Sequence, residues 1–199
     1  MTGAGAAGHG DTPMEVESGP KKALVLPPLA RTGRDAEAFA RIVHAGSRDE
    51  AGDRHVRHLK RVAILADDKL AYDTDQQVTD VVAQIAWLKD VFAKTPYTPE
   101  DLAREGFSAE VLEAVQSITA SPDETRAALI RRICDIAQLP AILVKLAEAE
   151  DLLNPRRLAS LDHESSDGIE ARHAREKLLE AAAVRGWVDA RHVPSGPRA

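Results

Sequence analysis

The stretch DETRAALIRRICDIAQLPAILVKLAEAEDLL, residues 123–153, is the longest periodic segment of this chain. Its apolar residues recur three and four positions apart, which is the spacing of one face of a helix. The residues that carry this spacing are Leu129, Ile130, Ile133, Ile136, Leu143 and Leu146. Pro140 lies in the middle, and proline removes a backbone donor and clashes with the preceding turn. The segment therefore predicts two helices with a break or kink at Pro140.

Helical spacing continues on both sides of this segment. One predicted helix ends before Gly46 and a second begins after Gly52, while a long, mostly buried third runs from near Thr74 through Phe92. Two short helices follow, for which the N-caps are Thr98 and Ser108. A more polar last helix is predicted over residues 168–185, on the outside. With no alternating strand pattern and no internal repeat, the sequence predicts an all-α protein, a compact helical bundle.

Length and composition predict one domain with loose ends. The chain has 199 residues, of which 44% are hydrophobic and 29% charged. We expect a disordered N-terminal tail over residues 1–31, a helical domain over 32–186 and a flexible C-terminal tail over 187–199. Within the N-terminal part, the short apolar stretch 23–29 is expected to lie against the domain, because two prolines stop it.

Charge and cysteine content narrow the partners and the compartment. A formal net charge of −6 argues against nucleic acid as a partner, since binding that backbone needs clustered Lys and Arg. The single cysteine, Cys134, excludes an internal disulfide and a cysteine-rich zinc site, and we interpret it as a small core residue. No apolar run reaches the roughly 20 residues that span a bilayer. We expect a cytoplasmic protein without a membrane partner; nothing in the sequence indicates an oligomeric state.

Four segments, in this order, carry a family resemblance. They are HAGSRDEAG (44–52) leading to His58, WLKDVFAKT (87–95), YTPEDLAREGFSAEVLEAVQSIT (97–119) and VKLAEAEDLLNP (144–155). Together they resemble the HD-domain metal-dependent phosphohydrolases of the RelA/SpoT type, which hydrolyse guanosine polyphosphate (ppGpp). The resemblance covers about residues 36–180 and implies an HD-domain-like helical fold.

The resemblance implies one divalent metal, commonly manganese, held by a His, an adjacent His-Asp pair and a later Asp. The matching positions are His58, Lys89, Asp90 and Glu148. Such a metal can acidify a water and polarise a phosphoryl oxygen. Lys89 replaces the second His, and a protonated amine has no lone pair to offer a metal. Glu148 keeps the carboxylate but is longer than Asp by one methylene.

Further departures affect the attacking water and the nucleotide. A Glu-Asp pair that assists the water in the family corresponds to Ala93 and Lys94, which leaves no carboxylate to orient or deprotonate it. The expected nucleotide contacts, an Asn, a Gln, a basic residue and a Tyr, correspond to Leu152, Ser47, Glu50 and Arg126. Lys89, together with Arg48 in the first motif, is a candidate ligand-binding residue.

Several of these side chains also have a purely structural interpretation. His58 lies beside an apolar stripe, where a satisfied core histidine is common, and His55 and His58 are three residues apart, a spacing that also suits a zinc pair. Glu150 and Asp151 are predicted to form an acidic helical surface. The pairs Arg131-Arg132 and Arg156-Arg157 are predicted to lie on solvated faces, from which either could attract a phosphate.

Lys89 gives the sharpest hypothesis. If it is buried it needs partners, and we expect its ammonium to occupy the metal position and to pair with Asp90 and Glu148. The leading interpretation is a catalytically impaired protein that binds a nucleotide or small phosphate ligand or has a regulatory role. The alternative is an active phosphohydrolase in which His58, Asp90 and Glu148 bind the metal and His55 or water completes the shell. A third is a protein-interaction module.

Overall fold

The computed structural model describes residues 30–49, 51–158 and 166–189. In these ranges the regular secondary structure is entirely helical, apart from one isolated bridge between Arg48 and Arg54. The all-α prediction is confirmed. The apolar stretch 23–29, Glu50 and nearly all of both predicted tails lie outside the described residues. The helices are α1 Gly33–Val43, α2 His55–Asp67, α3 Gln76–Leu88, α4 Val91–Lys94, α5 Pro99–Arg104, α6 Ala109–Ile118, α7 Arg126–Ile136, α8 Leu139–Leu152, α9 Pro155–Leu158 and α10 Ser166–Val184.

The predicted break at Pro140 is present. Helix α7 ends at Ile136, and α8 begins at Leu139 with the proline in its first turn, where no intrahelical donor is needed. The residues that carry the helical spacing of both helices are buried, except Ile136, which is 64% exposed at the end of α7. The two predicted caps are also present: Thr98 accepts from the Asp101 amide and Ser108 from the Val111 amide.

The predicted single helix from Thr74 to Phe92 is wrong. Helix α3 ends at Leu88 and α4 begins at Val91, with Asp90 at φ −106° and ψ 1° between them. Consecutive residues on a regular helix point about 100° apart and do not face each other. The interruption lets Lys89 and Asp90 turn their side chains toward one point. This junction positions half of the candidate site.

Helix α8 lies at the centre of the molecule. It packs against α2, α3, α6 and α10, so its buried residues are not confined to one face. Helix α1 packs on α3, and Gly33 lies against α3 so closely that an added Cβ would be 2.7 Å from Ala83 Cβ. The last helix, α10, is polar outside but buries Ala174, Leu178 and Ala182 against α7 and α8.

Trp187 follows the last helix, which ends at Val184. The indole packs against the core, and its Nε1 donates to the Lys69 carbonyl oxygen at 2.9 Å. None of the helices described is both long and apolar enough to cross a membrane.

Candidate functional site

The candidate site lies where α2, the α3–α4 junction and α8 meet. His58 comes from α2, Lys89 and Asp90 from the junction, and Glu148 from α8. One ligand atom from each of His58, Asp90 and Glu148 lies within 4.8 Å of the others. The fold therefore brings together all four residues that the sequence places at a metal position.

The Lys89 ammonium lies between the two carboxylates of this group. Its Nζ donates to Asp90 Oδ2 at 2.8 Å and to Glu148 Oε1 at 2.6 Å, and only 2% of the side chain is exposed. Lys145, one turn before Glu148, contacts Oε2 of the same carboxylate. The predicted pairing of Lys89 with Asp90 and Glu148 is confirmed.

Charge balance keeps these buried groups ionised. Burial alone would lower the pKa of Lys89, but the adjacent Asp90 and Glu148 carboxylates outweigh it and hold that pKa above its ordinary value. Burial would likewise raise the pKa of both acids. Lys89 instead holds the pKa of Asp90 well below its usual range, and Lys145 and Lys89 do so for Glu148. The site contains a fixed positive charge between two fixed negative charges.

His58 is oriented by Asp151, a residue that the sequence placed on a solvated acidic surface. That prediction is wrong: Asp151 is 1% exposed, and its Oδ2 lies 2.7 Å from His58 Nδ1. Arg61 Nε donates to Asp151 Oδ1 at 2.6 Å. The neighbouring Glu150 is half-buried and accepts from Lys69 at 2.5 Å. The acidic run is enclosed because α8 is central and helices cover it on several sides.

Arg157 is also enclosed, contrary to the prediction of a solvated face. It is 7% exposed, and its guanidinium donates to Asp49 Oδ2 at 2.7 Å and lies 3.3 Å from Asp151 Oδ2. Arg132 is half-buried, because it binds Glu124 and the carbonyl oxygen of Ser117. Arg131 is exposed, as expected, and the side chain of Arg156 lies outside what the structure describes.

Two further histidines lie beside the site. His44 and His55 are both 1% exposed, and their ring centroids are 4.9 Å apart. His55 Nε2 is 2.9 Å from Asp90 Oδ2. Within the described part of the chain, neither nitrogen of the buried His44 ring has a hydrogen-bond partner. Burial and the neighbouring His55 lower the pKa of His44 to about 4. The place of His44 in the first motif indicates at most a weak ligand role, and the structure places its ring beside that of His55.

The remaining predicted ligand contacts are scattered. Arg48 is exposed, and its guanidinium donates to the Gly52 carbonyl oxygen in its own loop at 2.6 Å. Arg126 is exposed and pairs with Glu170 at 3.4 Å. Ala93 and Lys94 are exposed on α4. A contact of Arg48 with a nucleotide stays a prediction.

A small cavity opens beside the Lys89 cluster. Its volume is about 130 Å³, and its wall includes Lys89, Asp90, Lys145, Glu148 and, from the α6 end, Thr119. A second cavity of about 70 Å³ lies on the other side of Lys145 and Glu148 and reaches Arg126 and Leu152. Pockets for drug-sized ligands are usually about 300–1,000 Å³. The space suits a phosphate-sized group better than a whole nucleotide.

Comparison of the sequence with protein-family models and with curated proteins gives no match. Chemical inference therefore rests on the side chains. The donor set of one imidazole and two carboxylates suits a divalent metal, but Lys89 already donates hydrogen bonds to both carboxylates. With Lys89 in place, the cluster does not fit a metal. What it can do is hold a protonated amine rigidly at the wall of a small polar cavity.

Proposed function

We propose that this chain is a catalytically impaired HD-like protein that binds a small phosphate-containing ligand, with Lys89 in the place of the metal. One observation carries the proposal: the Lys89 ammonium donates to both Asp90 and Glu148, the two carboxylates that would otherwise hold a divalent cation. The motif resemblance to ppGpp pyrophosphohydrolases supplies the family context.

Electrostatics disfavours a metal at this position. The two carboxylates carry two negative charges, of which Lys89 neutralises one and Lys145 contacts the second. A divalent ion would have to share these oxygens with two ammonium groups, and like charges at a few ångströms in a poorly solvated site repel strongly. Displacing Lys89 would leave its ammonium buried without partners, which costs several kcal/mol.

The two positions at which the resemblance implies acidic residues for the hydrolytic step carry no carboxylate. Ala93 and Lys94 stand where the resemblance implies an acidic pair, and both are exposed on α4. Neither side chain supplies a carboxylate that could orient the attacking water or take its proton. Binding without turnover is the activity that this set of residues supports.

Lys145 and Lys89 are the cationic groups at the cavity wall, and they define the ligand class. Ammonium groups bind phosphate as point charges. At about 130 Å³, the cavity takes a phosphate group, with the rest of a larger ligand outside. We expect Lys145 to be the main contact, because 15% of its side chain is exposed, against 2% for Lys89.

Manganese stoichiometry tests the proposal. Equilibrium dialysis followed by elemental analysis should find no bound ion in the unaltered chain and about one per chain in a Lys89→His, Glu148→Asp double variant. Isothermal titration with inorganic phosphate, then with ppGpp, should give binding that weakens at least tenfold in Lys145→Met, with Lys177→Met as the exposed control. One manganese per unaltered chain, lost on His58→Ala, would overturn it.

The second candidate is an active phosphohydrolase with a divergent ligand set. The observation that favours it is the grouping of His58, Asp90 and Glu148 within 4.8 Å, with His55 beside Asp90. Three protein ligands and a water are adequate for a catalytic metal. This candidate requires manganese-dependent release of phosphate or pyrophosphate from a nucleotide substrate, abolished by Asp90→Asn. The leading proposal requires no such release.

A further inference from the structure

We propose that Asp151 is a positioning residue that holds His58 in the tautomer with its proton on Nδ1. The Nε2 lone pair then faces the seat of the Lys89 ammonium, by which we mean its position between Asp90 Oδ2 and Glu148 Oε1. The proposal rests on the proposed function in one respect, because Lys89 is the cation that this seat contains. The proposal gives a role to Asp151, a residue for which the sequence motifs predicted none.

The hydrogen bond between the two side chains fixes the direction of the proton. Asp151 Oδ2 and His58 Nδ1 are 2.7 Å apart, and both residues are buried. An ionised carboxylate has only acceptor sites, so the proton in this bond must be on the histidine nitrogen. A neutral imidazole carries one N–H, which leaves the lone pair on Nε2.

Two guanidinium groups keep Asp151 in the acceptor form. Arg61 Nε donates to Oδ1 at 2.6 Å, and Arg157 lies 3.3 Å from Oδ2 while it donates to Asp49. Burial would raise the pKa of Asp151, but the His58 hydrogen bond and Arg61 lower it. A second positive charge on the buried His58 ring is disfavoured by the Lys89 ammonium, whose acceptor Glu148 Oε1 lies 4.0 Å from Nε2.

The other ring nitrogen points into the site. His58 Nε2 is 4.0 Å from Glu148 Oε1, the oxygen that accepts from Lys89. An ammonium has three N–H groups, and Asp90 and Glu148 accept two of them. With the lone pair on Nε2, the ring presents an acceptor, and not an N–H, on the side of Glu148 Oε1. In the other tautomer, an N–H would face the ammonium and repel it.

The tautomer can be read directly by long-range ¹H–¹⁵N correlation spectra of the ¹⁵N-histidine protein, with His58 assigned from a His58→Gln variant. We expect a protonated Nδ1 and an unprotonated Nε2. Asp151→Asn, whose amide can donate to Nδ1, should shift at least half of the population to the Nε2–H form, and Asp151→Glu should restore the original pattern. Glu150→Gln is the matched control, since Glu150 lies on the same helix but contacts Lys69.

An Nε2–H signal for His58 in the unaltered chain would overturn the positioning role, as would an unchanged spectrum in Asp151→Asn. A Lys89→Met background separates this proposal from the proposed function. There the seat should bind manganese, and adding Asp151→Asn should weaken that binding about 10–100-fold. Absence of manganese binding in Lys89→Met would count against Lys89 as the substitute for a metal, and the tautomer result would still decide the role of Asp151.

Discussion

Lys89 Nζ lies 2.6 Å from Glu148 Oε1, and this contact joins the α3–α4 junction to the central helix α8. The two residues are 59 positions apart, so the bond closes a long loop of chain through the core. Breaking a buried pair by removal of one partner costs much more than breaking a surface pair, because the remaining charge stays without compensation.

Lys89→Met should therefore lower the free energy of unfolding at pH 7 by about 3–5 kcal/mol. Urea unfolding followed by circular dichroism measures the loss. The matched control is Lys177→Met, which removes an exposed ammonium paired with Glu180 and should have little effect on the free energy of unfolding, because solvent screens such a pair. Equal losses in the two variants would contradict the prediction, because they would show that removal of Lys89 does not leave the buried Asp90 without a counter-charge.

Stability should fall in acid. The pKa values of Asp90, Glu148 and Asp151 are lower in the folded chain than their ordinary values. Their contribution is complete above the unfolded values near about 4 and is lost as the pH falls through the folded values. Lys89 has the opposite sign: its contribution is complete below about 10.4 and is lost as the pH rises further. The unfolding midpoint in urea, measured between pH 2 and 11 at fixed ionic strength, should therefore be highest and nearly constant between these two limits and fall on either side.

The acid response should reverse in Lys89→Met between pH 7 and pH 5. Without the ammonium, burial dominates at Asp90 and raises the pKa of that carboxyl above its unfolded value, while Glu148 keeps its contact with Lys145. Protonation then favours the folded state, so the variant should gain stability as the pH falls over this range. A loss of stability parallel to that of the unaltered chain would show that the Asp90 carboxylate is solvated once Lys89 is removed.

Arg157→Met should destabilise the fold by about 3 kcal/mol, since it leaves the enclosed Asp49 carboxylate with only the half-exposed Arg61, at 3.7 Å, as a counter-charge. Chemical denaturation at neutral pH provides the measurement. Arg48→Met serves as the control, because Arg48 is exposed and donates only to the Gly52 carbonyl oxygen of its own loop among the contacts described. We expect that change to stay within about 1 kcal/mol.

Gly33→Ala should cost about 1–3 kcal/mol by overpacking α1 against α3. The new Cβ would lie 2.7 Å from Ala83 Cβ, closer than two methyl carbons tolerate. Ala83→Gly removes that carbon, so the cost of Gly33→Ala should become smaller in the Ala83→Gly background. A double-mutant cycle of thermal or urea unfolding measures this coupling. Additive effects would place the strain elsewhere.

The sequence predicted what depends on local spacing and on the motifs. Apolar periodicity located most helices, Pro140 located the break between α7 and α8, and the motifs located the residues that meet at the site. It failed where burial depends on distant partners. Asp151 lies 93 positions from His58, and Arg157 lies 108 from Asp49, so a charged run that looks solvated in sequence is enclosed in the fold. The α3–α4 interruption was missed for the same reason. An apolar pattern that runs past Lys89 does not reveal that this side chain pairs with Glu148, 59 positions away.

A cation that is part of the polypeptide behaves differently from a metal ion that binds from solution. The ammonium between Asp90 and Glu148 is present once in every chain from the moment of synthesis, and no chelator can extract it. The amount of this cation does not vary with the metal content of the growth medium. A competing ion from solution cannot replace it, because the ammonium is covalently attached to the chain. The charge balance of this cavity is therefore inherited with the gene and is independent of metal homeostasis.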